Sequence, residues 1–317
     1  MKLIVEEAAL WMSVQDRGRY GYQRFGLPES GPMDWWAFSA ASWLVGNQPM
    51  QAGLECGFST ASLIVDCETL MAVCGAGYHL SVNGRTLPMW MSFSVRKGDQ
   101  VRLQKVAGGN WAYLAVAGGI QSETWLGSRS TYSRAGLGAN LAIGDHLPLK
   151  YTTQHTHSAG RSMPTHARPH YQRDPLIGVI PGPHQERFSA EIFDLFWAES
   201  YRVSTRSDRM GYRLTGARLN HRTGPDLVSQ GMMIGQIQIP GDGQPIVMMP
   251  DHPTTGGYTS IAVVSRADRP LLVQAEPGLS NINFRPVSIA EAQESYAAAV
   301  AGFQNHSDNE EDLWLHL

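Results

Sequence analysis

The sequence predicts a mainly β protein that consists of two β domains with few helices. Its 317 residues include 33 glycines and 18 prolines, which favours many tight turns. Short apolar runs of strand length recur along the chain, separated by glycine, Asn-Gly or Gly-Asp turns. A chain of this length also has room for two domains, each of which can bury its own core.

The first domain is predicted over residues 1–150. Asn83-Gly84 is its strongest hairpin signal. One helix is predicted over Trp35–Val45, with Asp34 as its N-cap. The clearest predicted strands are Leu63–Asp66, Leu70–Cys74, Val101–Lys105 and Trp111–Ala117.

Residues 151–174 interrupt this pattern, because Thr, Ser, Pro, His and Arg dominate and no hydrophobic period survives. We interpret them as an interdomain linker or an exposed excursion. Four histidines lie here: His155, His157, His166 and His170. A metal site is one interpretation of them. No cysteine or carboxylate cluster lies nearby, so we favour a solvated loop and predict no metal.

The second domain is predicted over residues 175–287. A helix is predicted around Glu186–Glu199. The predicted strands are Leu176–Ile180, Tyr201–Thr205, Gln236–Ile239, Ile246–Met249, Ile261–Val264, Leu271–Gln274 and Ile282–Arg285. Residues 288–317 are predicted to form a closing helix and an acidic tail, since Ser288 and Glu291 have the spacing of a capping box.

Composition excludes several classes of partner. A formal net charge of −3 gives no electrostatic reason to expect nucleic acid or acidic lipid. The longest uncharged stretch, Trp35–Leu54, has a polar second half and is too short in apolar residues to cross a bilayer. Three cysteines without CxxC spacing indicate free thiols in a reducing compartment. We therefore expect a cytoplasmic protein with no membrane span.

The segment Ile246–Tyr258, IVMMPDHPTTGGY, is the most informative motif. We predict that a strand opens here into a glycine-rich loop, whose backbone N–H groups form a nest for an oxyanion. Asp251 is predicted to act as a base or to support the site. The residues predicted to bind substrate are Thr254, Thr255, Gly256, Gly257 and Tyr258. For Tyr258 the alternative is an aromatic lid on the core.

Two further polar motifs are punctuated by glycine. In Leu126–Thr131, LGSRST, Arg129 would supply charge to a bound anion, and the hydroxyls of Ser128, Ser130 and Thr131 would supply donors. The alternative is a polar turn. In Ser207–Leu214, SDRMGYRL, Arg209 is predicted to clamp a carboxylate or phosphate. Asp208 is predicted to accept a proton or to orient a group of the site. The alternative for Asp208 and Arg209 is a salt bridge that holds a loop.

The segment Val14–Asp34 is interpreted as structural. Asp16, Arg17 and Arg19 lie near tight turns, where such side chains satisfy backbone groups through buried hydrogen bonds. The sequence contains no GxxxxGK[ST] loop, no GxGxxG fingerprint, no HExxH and no GxSxG. The chain itself therefore shows no conventional nucleotide-binding apparatus.

In their order, the motifs match one family. They are Val14–Asp34, Leu44–Asn47 with Glu55, Tyr113–Ile120, Leu126–Thr131, Pro181-Gly182-Pro183, Ser207–Leu214, Gln236–Pro240, Gly243–Met249, Thr254–Tyr258 and Gln274–Gly278. The chain resembles the KipA-like proteins, the family of 5-oxoprolinase C subunits and biotin-dependent carboxyltransferases, and is similar to one region of urea amidolyase. The resemblance implies two cyclophilin-like β-barrel domains with a cleft between them. The chain departs from the family at Pro253, where glutamine is common, and at Leu279, where an aspartate is usual.

The resemblance also implies an activity. A KipI-like B subunit and a third protein, the A subunit, would join this chain in an enzyme that hydrolyses 5-oxoproline to L-glutamate at the expense of ATP, with magnesium. Arg129, Arg209 and the Thr254–Gly257 loop would clamp the carboxylate and phosphate groups. One alternative is a carboxyltransferase that uses carboxyl-biotin from another protein, since no Met-Lys-Met motif occurs here. Another is a KipA-type regulatory protein that only binds the KipI-like partner.

Overall fold

The computed structural model describes residues 1–150 and 159–304, which form two compact units. The first unit contains Met1–Arg19, Ser30–Pro169 and the segment that begins at Val300. The second contains Tyr20–Glu29 and His170–Ala299. Neither the assignment of Tyr20–Glu29 to the second unit nor that of Val300 onward to the first has a signal in the sequence. The domain borders and the cleft inferred from the sequence stay predictions.

The first unit is a pair of β-sheets around one core. Its strands are β1 Lys2–Glu7, β2 Trp11–Gln15, β3 Gly53–Gly57, β4 Ala61–Val65, β5 Thr69–Gly75, β6 Tyr78–Val82, β7 Arg85–Leu87, β8 Ser92–Val95, β9 Gln100–Lys105, β10 Trp111–Val116 and β11 His146–Pro148. One sheet has the order β11-β1-β4-β9-β6-β7 and the other β2-β3-β10-β5-β8. Apolar side chains of both sheets, such as Leu3 on β1 and Leu54 on β3, share a single buried cluster.

Local signals in this unit are confirmed by the structure. Helix α1 spans Trp35–Leu44, and the Asp34 carboxylate caps it by accepting a hydrogen bond from the Ala37 N–H at 2.9 Å. Asn83 and Gly84 connect β6 to β7, and both have positive φ (50° and 78°), as the tight hairpin turn requires. All three cysteines are free, and burial raises the pKa of each thiol.

The second unit is a closed β-barrel with two whole helices and part of a third, as far as Ala299. Its strands are β12 Leu176–Pro181, β13 Tyr201–Val203, β14 Gly211–Thr215, β15 Asp226–Gly231, β16 Gln236–Ile239, β17 Ile246–Met248, β18 Thr255–Val264 and β19 Asn281–Pro286; its helices are α2 Ala190–Ala198, α3 Arg269–Val273 and α4 Ile289–Gln304. The order β12-β19-β13-β14-β17-β16-β18 is closed by pairing of β18 with β12, and β15 adds to β18 outside the ring. The mainly β fold class is thus confirmed.

One predicted strand of this unit is wrong. The segment predicted as strand Leu271–Gln274 lies largely in helix α3, which has Pro270 in its first turn. Proline at that position favours a helix start because its φ is already helical and its missing N–H has no partner there. An apolar run of four residues cannot by itself distinguish a strand from a short buried helix.

Two helix predictions have a mixed outcome. The helix predicted from Glu186 starts only at Ala190, because Gln185–Arg187 forms a 3-10 turn and Phe188 is extended. The closing helix is confirmed, and the Ser288 hydroxyl accepts a hydrogen bond from the Glu291 N–H at 3.1 Å. His155, His157 and the acidic tail, 305–317, lie outside the described residues. Within the described ranges, no helix combines the length and the apolar character that a membrane crossing requires.

Candidate functional site

Arg209 and Asp251 form a buried ion pair at one end of the second unit. Arg209 precedes β14 and Asp251 follows β17, and the antiparallel pairing of these strands brings the two side chains together. Arg209 Nε lies 2.8 Å from Asp251 Oδ2, and Nη2 lies 3.1 Å from Oδ1. The side chains are only 2% and 10% exposed. Arg209 is therefore held by two hydrogen bonds to a carboxylate far away in sequence.

Asp208 has a local role in the same turn. Its Oδ1 accepts hydrogen bonds from the backbone N–H of Met210 at 2.8 Å and of Gly211 at 3.2 Å. This arrangement closes the turn that leads into β14 and so fixes the direction in which Arg209 leaves the backbone. The part of Asp208 as a proton acceptor stays a prediction.

The predicted nest of N–H groups is wrong. Residues 255–258 form the beginning of β18, and Thr255, Gly256 and Tyr258 pair with Gly231, Gln230 and Asp226 of β15. Gly256 and Gly257 are extended, without the left-handed backbone that a nest needs. Their binding role, and that of Thr254, Thr255 and Tyr258, stays a prediction.

Close packing explains why glycine is needed in this strand. A Cβ on Gly256 would collide with Met232 Sδ and lie 2.9 Å from Gln238 Nε2; one on Gly257 would lie 2.9 Å from Leu227 O. Glycine inside a strand often marks such a close approach rather than a turn. The motif is therefore unusual, as predicted, but for a different physical reason.

We expect Gly257→Ala to lower the free energy of unfolding by about 1–3 kcal/mol, because the added methyl group would lie 2.9 Å from the backbone carbonyl oxygen of Leu227, which cannot turn aside as a flexible side chain can. Denaturant unfolding measures the change. Gly231→Ala is the matched control, since it lies in β15 opposite Thr255 and its Cβ would meet no atom within 4 Å. Equal stability of the two variants would contradict this packing account.

His252 follows Asp251 and is not among the residues predicted from the sequence. Its side chain is fully buried, and Nδ1 lies 2.6 Å from the carbonyl oxygen of Pro253. A carbonyl only accepts, so Nδ1 carries the proton and Nε2 carries the lone pair. Nε2 is buried and has no hydrogen-bond partner among the described residues. Burial lowers the pKa of His252, so the imidazole is neutral at pH 7.

The depressed pKa of His252 predicts an acid-sensitive fold. Below the ordinary histidine pKa of 6.5, the unfolded chain binds a proton at this residue that the folded chain does not. Stability therefore falls as pH drops from 6.5 toward the lower pKa of the folded state. Urea unfolding between pH 8 and pH 5 measures this slope. We expect the stability of His252→Asn to fall less steeply with decreasing pH than that of the wild type. The exposed control His79→Asn should keep the wild-type slope. Equal slopes for His252→Asn and the wild type would contradict a lowered pKa of His252.

In the first unit, the Asp16 carboxylate collects four donors. Oδ1 accepts from Ser128 Oγ at 2.6 Å, Ser130 Oγ at 2.7 Å and Gly18 N at 2.9 Å, and Oδ2 accepts from Arg129 N at 2.6 Å. Asp16 is 2% exposed and Ser130 is fully buried. The structural interpretation of Asp16 is confirmed. The Ser130 hydroxyl serves this carboxylate, so it positions the LGSRST motif; substrate contact by Ser130 stays a prediction.

The Arg129 guanidinium lies on the wall of a groove. It donates to Ser122 O, to Thr124 Oγ1 at 2.7 Å and to Gln121 Oε1 at 3.1 Å. The groove has a volume of about 630 Å³, and its lining includes Trp125, Thr131 and His146 besides Arg129. That volume is in the range of small-molecule sites. Asp16 holds the backbone of Arg129 while three acceptors hold its guanidinium, so Arg129 brings a fixed positive charge to a groove that Glu123 and Asp145 also line.

A second buried carboxylate, Glu55, lies on β3. It is fully buried, and its Oε2 accepts from the Tyr113 hydroxyl at 2.9 Å and from the Met33 N–H at 2.8 Å. The Tyr113 oxygen in turn accepts from the Asp34 N–H at 2.7 Å. Burial, with the neighbouring Glu55 charge, raises the pKa of Tyr113 well above its ordinary value. This chain of hydrogen bonds fixes the start of α1, and the signal for it was a lone glutamate in an apolar strand.

The predicted site residues thus fall into two sets. Arg129 and Ser130 belong to the first unit, and Asp208, Arg209, Asp251 and Thr254–Tyr258 belong to the second. The described residues contain no group of three or more His, Cys, Asp or Glu side chains that could hold a metal ion.

Most of this chain matches one protein family. The carboxyltransferase domain, subdomain A and B, matches residues 25–286. The chain therefore belongs to the carboxyltransferase-domain family. Within that family, it is similar to the 5-oxoprolinase C subunit of Escherichia coli (strain K12), with 33% identity over 294 residues, 92% of this chain and 93% of that protein.

Two more proteins show how far the similarity reaches. The 5-oxoprolinase C subunit of Haemophilus influenzae is 32% identical over 284 residues, 88% of this chain and 89% of that protein. The crystal structure of the urea amidolyase of K. lactis has a TM-score of 0.90 and 29% identity over 97% of this chain, but only 20% of the amidolyase chain is covered. The similarity thus spans nearly all of the two C subunits and a small part of the amidolyase.

Proposed function

We propose that this chain is the C subunit of an ATP-dependent 5-oxoprolinase that hydrolyses 5-oxoproline to L-glutamate. The observation that carries this function is the similarity to two 5-oxoprolinase C subunits, which extends over about nine tenths of this chain and of each subunit. For the Escherichia coli protein the shares are 92% of this chain and 93% of that protein. In this assignment the chain acts together with a KipI-like B subunit and a third protein, the A subunit. We expect it to be active only in that assembly.

The chemistry requires a bound anion and a proton acceptor. A lactam opens slowly in water, and transfer of a phosphoryl group from ATP to the amide oxygen makes the ring carbon a better electrophile. Water then attacks that carbon and the ring C–N bond breaks, with a proton going to the leaving nitrogen, which gives an acyl phosphate. A second water hydrolyses the acyl phosphate to the glutamate carboxylate and inorganic phosphate, and ADP is the other product. In the first unit, Arg129 supports this reaction as a fixed cation for the substrate carboxylate.

The second unit offers the proton acceptor. Asp251 is oriented by two hydrogen bonds from Arg209, which leaves its carboxylate in one fixed direction. The exposed side chains of Thr255 and Tyr258 on β18 are proposed to contact substrate. In this proposal ATP, with magnesium, is a substrate of the assembled complex. Biotin is not required.

The test is 5-oxoproline-dependent ATP hydrolysis and glutamate formation by the purified chain mixed with its candidate partner subunits. We expect activity with all three proteins, none when this chain is left out, and full recovery when it is added back. Undiminished activity without this chain would contradict the proposal. A tight complex without turnover would favour a KipA-type regulatory role instead.

A carboxyltransferase reaction is the second candidate. It is favoured by the family to which the chain belongs and by the TM-score of 0.90 with a urea amidolyase. Such an enzyme would move a carboxyl group from carboxyl-biotin on another protein to an amide-like acceptor. The same reconstituted mixture, supplied with carboxyl-biotin in place of ATP, distinguishes the two reactions. Loss of the biotin-bound carboxyl group that depends on this chain would support the second candidate.

A further inference from the structure

Arg269 is a cation of the second unit that neither set of predicted site residues includes. It is the first residue of α3 and is half-buried. Its Nε is buried and has no hydrogen-bond acceptor among the described residues. Within residues 1–150 and 159–304, Arg269 forms no ion pair with a carboxylate. A buried N–H of a cation without an acceptor is costly, so the environment of the Arg269 Nε needs an explanation.

A second guanidinium lies near Arg269. Burial, followed by the neighbouring charge of Arg266, lowers the pKa of Arg269 to about 10, so the side chain stays protonated at neutral pH. Arg266 lies over the Tyr296 ring, with 4.6 Å from its guanidinium carbon to the ring centre. The Tyr296 hydroxyl is buried. Tyr296 and Tyr20 also lie close enough to act on the Arg269 charge.

Nearby carboxylates have other partners. Glu29 acts on the Arg269 charge, but its Oε1 accepts from Gln23 Nε2 at 2.9 Å. Asp268 precedes Arg269 directly, yet its Oδ2 accepts from the Gly178 N–H at 2.6 Å. Neither carboxylate forms an ion pair with Arg269 among the described residues, so neither supplies the acceptor that the Arg269 Nε lacks.

The stem of Arg269 is fixed. Its backbone N–H donates to Ser265 O at 3.2 Å, and its Cδ would lie 3.6 Å from a Cβ on Gly235. The stem therefore packs against the backbone at Gly235, which limits the positions open to the guanidinium. A fixed guanidinium binds the two oxygens of a carboxylate or phosphate with little further loss of entropy.

We propose that Arg269 and Arg266 form an anion-binding site for the carboxylate or phosphate group of a small molecule, with the hydroxyls of Tyr20 and Tyr296 beside it. The site goes beyond the proposed function and does not rest on it, because none of these residues belongs to the predicted clamps. Arg269 Nε has no hydrogen-bond acceptor among the described residues, and an oxygen of a bound carboxylate or phosphate would be that acceptor.

The test is thermal unfolding of the full-length protein with increasing inorganic phosphate, and separately acetate, at constant ionic strength. A saturable rise of Tm is expected with the anion that binds, since a ligand stabilises the state to which it binds. In Arg269→Gln we expect the midpoint of that rise to move to an anion concentration at least about tenfold higher. Arg202→Gln removes an exposed cation of the same unit and should keep the wild-type response.

The Tm without anion gives a second, independent readout. Arg269→Gln should be no less stable than the wild type, because it removes a charge without an acceptor; a structural arginine would give the opposite result. The site is overturned if neither anion raises Tm saturably, if Arg269→Gln responds like the wild type, or if Arg269→Gln is destabilised or fails to fold. A response to phosphate alone or to acetate alone supports the site and identifies its anion.

Discussion

Arg209→Ala is expected to lower the free energy of unfolding by about 3–5 kcal/mol. The substitution leaves the Asp251 carboxylate in a place where the two side chains are only 2% and 10% exposed, without the two hydrogen bonds that compensate its burial. A charge that is buried without its partner costs far more than the pair itself contributes. Denaturant unfolding followed by intrinsic fluorescence measures the loss.

The matched control for Arg209→Ala is Arg285→Ala. The Arg285–Glu291 pair lies in the same unit and has the similar distance of 2.7 Å, but its side chains are 43% and 46% exposed. We expect its loss to cost at most about 1 kcal/mol. Equal effects of the two variants would contradict a buried pair at Arg209. Because this large loss of stability is expected, the activity of Arg209→Ala alone cannot separate a catalytic role from a structural one.

Asp16→Ala is expected to cost at least about 3 kcal/mol of unfolding free energy. It leaves the hydroxyls of Ser128 and Ser130 and the N–H groups of Gly18 and Arg129 without their common acceptor. Asp16→Asn should restore the stability only in part, because an NH₂ group replaces one of the two acceptor oxygens and leaves at least one of these donors facing another donor. Unfolding in urea measures both variants.

The control for Asp16 is Asp145→Ala in the same unit. The Asp145 carboxylate accepts a hydrogen bond from the Ala142 N–H at 2.8 Å in an exposed turn. Its loss should cost no more than about 1 kcal/mol, because water replaces the missing acceptor. Wild-type stability of Asp16→Asn would disprove the assignment of four donors to this carboxylate.

Local signals made much of the fold predictable. Asn83-Gly84 and the Asp34 cap act through backbone conformation within a few residues, so the sequence contains the whole cause. The segment Leu271–Gln274 contains no comparable local signal, since a short, mostly apolar run fits a strand and a short helix equally well. The barrel closes by pairing of β18 with β12, two strands that are distant in sequence. No local sequence pattern predicts such a pairing.

The site was predictable by residue type and less so by contact. Arg209, Asp251 and Arg129 were selected as polar residues beside glycine in apolar sequence, and each is held in place by hydrogen bonds. The partners were not predictable, because Asp251 meets Arg209 only through the pairing of β14 with β17. The two glycines of TTGGY were misread, since close packing and tight turns both require a missing Cβ.

In the proposed function, this chain contributes a residue, Arg129, that contacts substrate during 5-oxoproline hydrolysis. Steady-state turnover of the reconstituted complex with Arg129→Gln is the decisive measurement, beside the exposed control Arg85→Gln. We predict a fall in kcat/KM of at least about 100-fold for Arg129→Gln, with an intact complex and little change in Tm, and no change for the control. Equal kcat/KM values for both variants would contradict the claim and leave this chain a scaffold or a regulator.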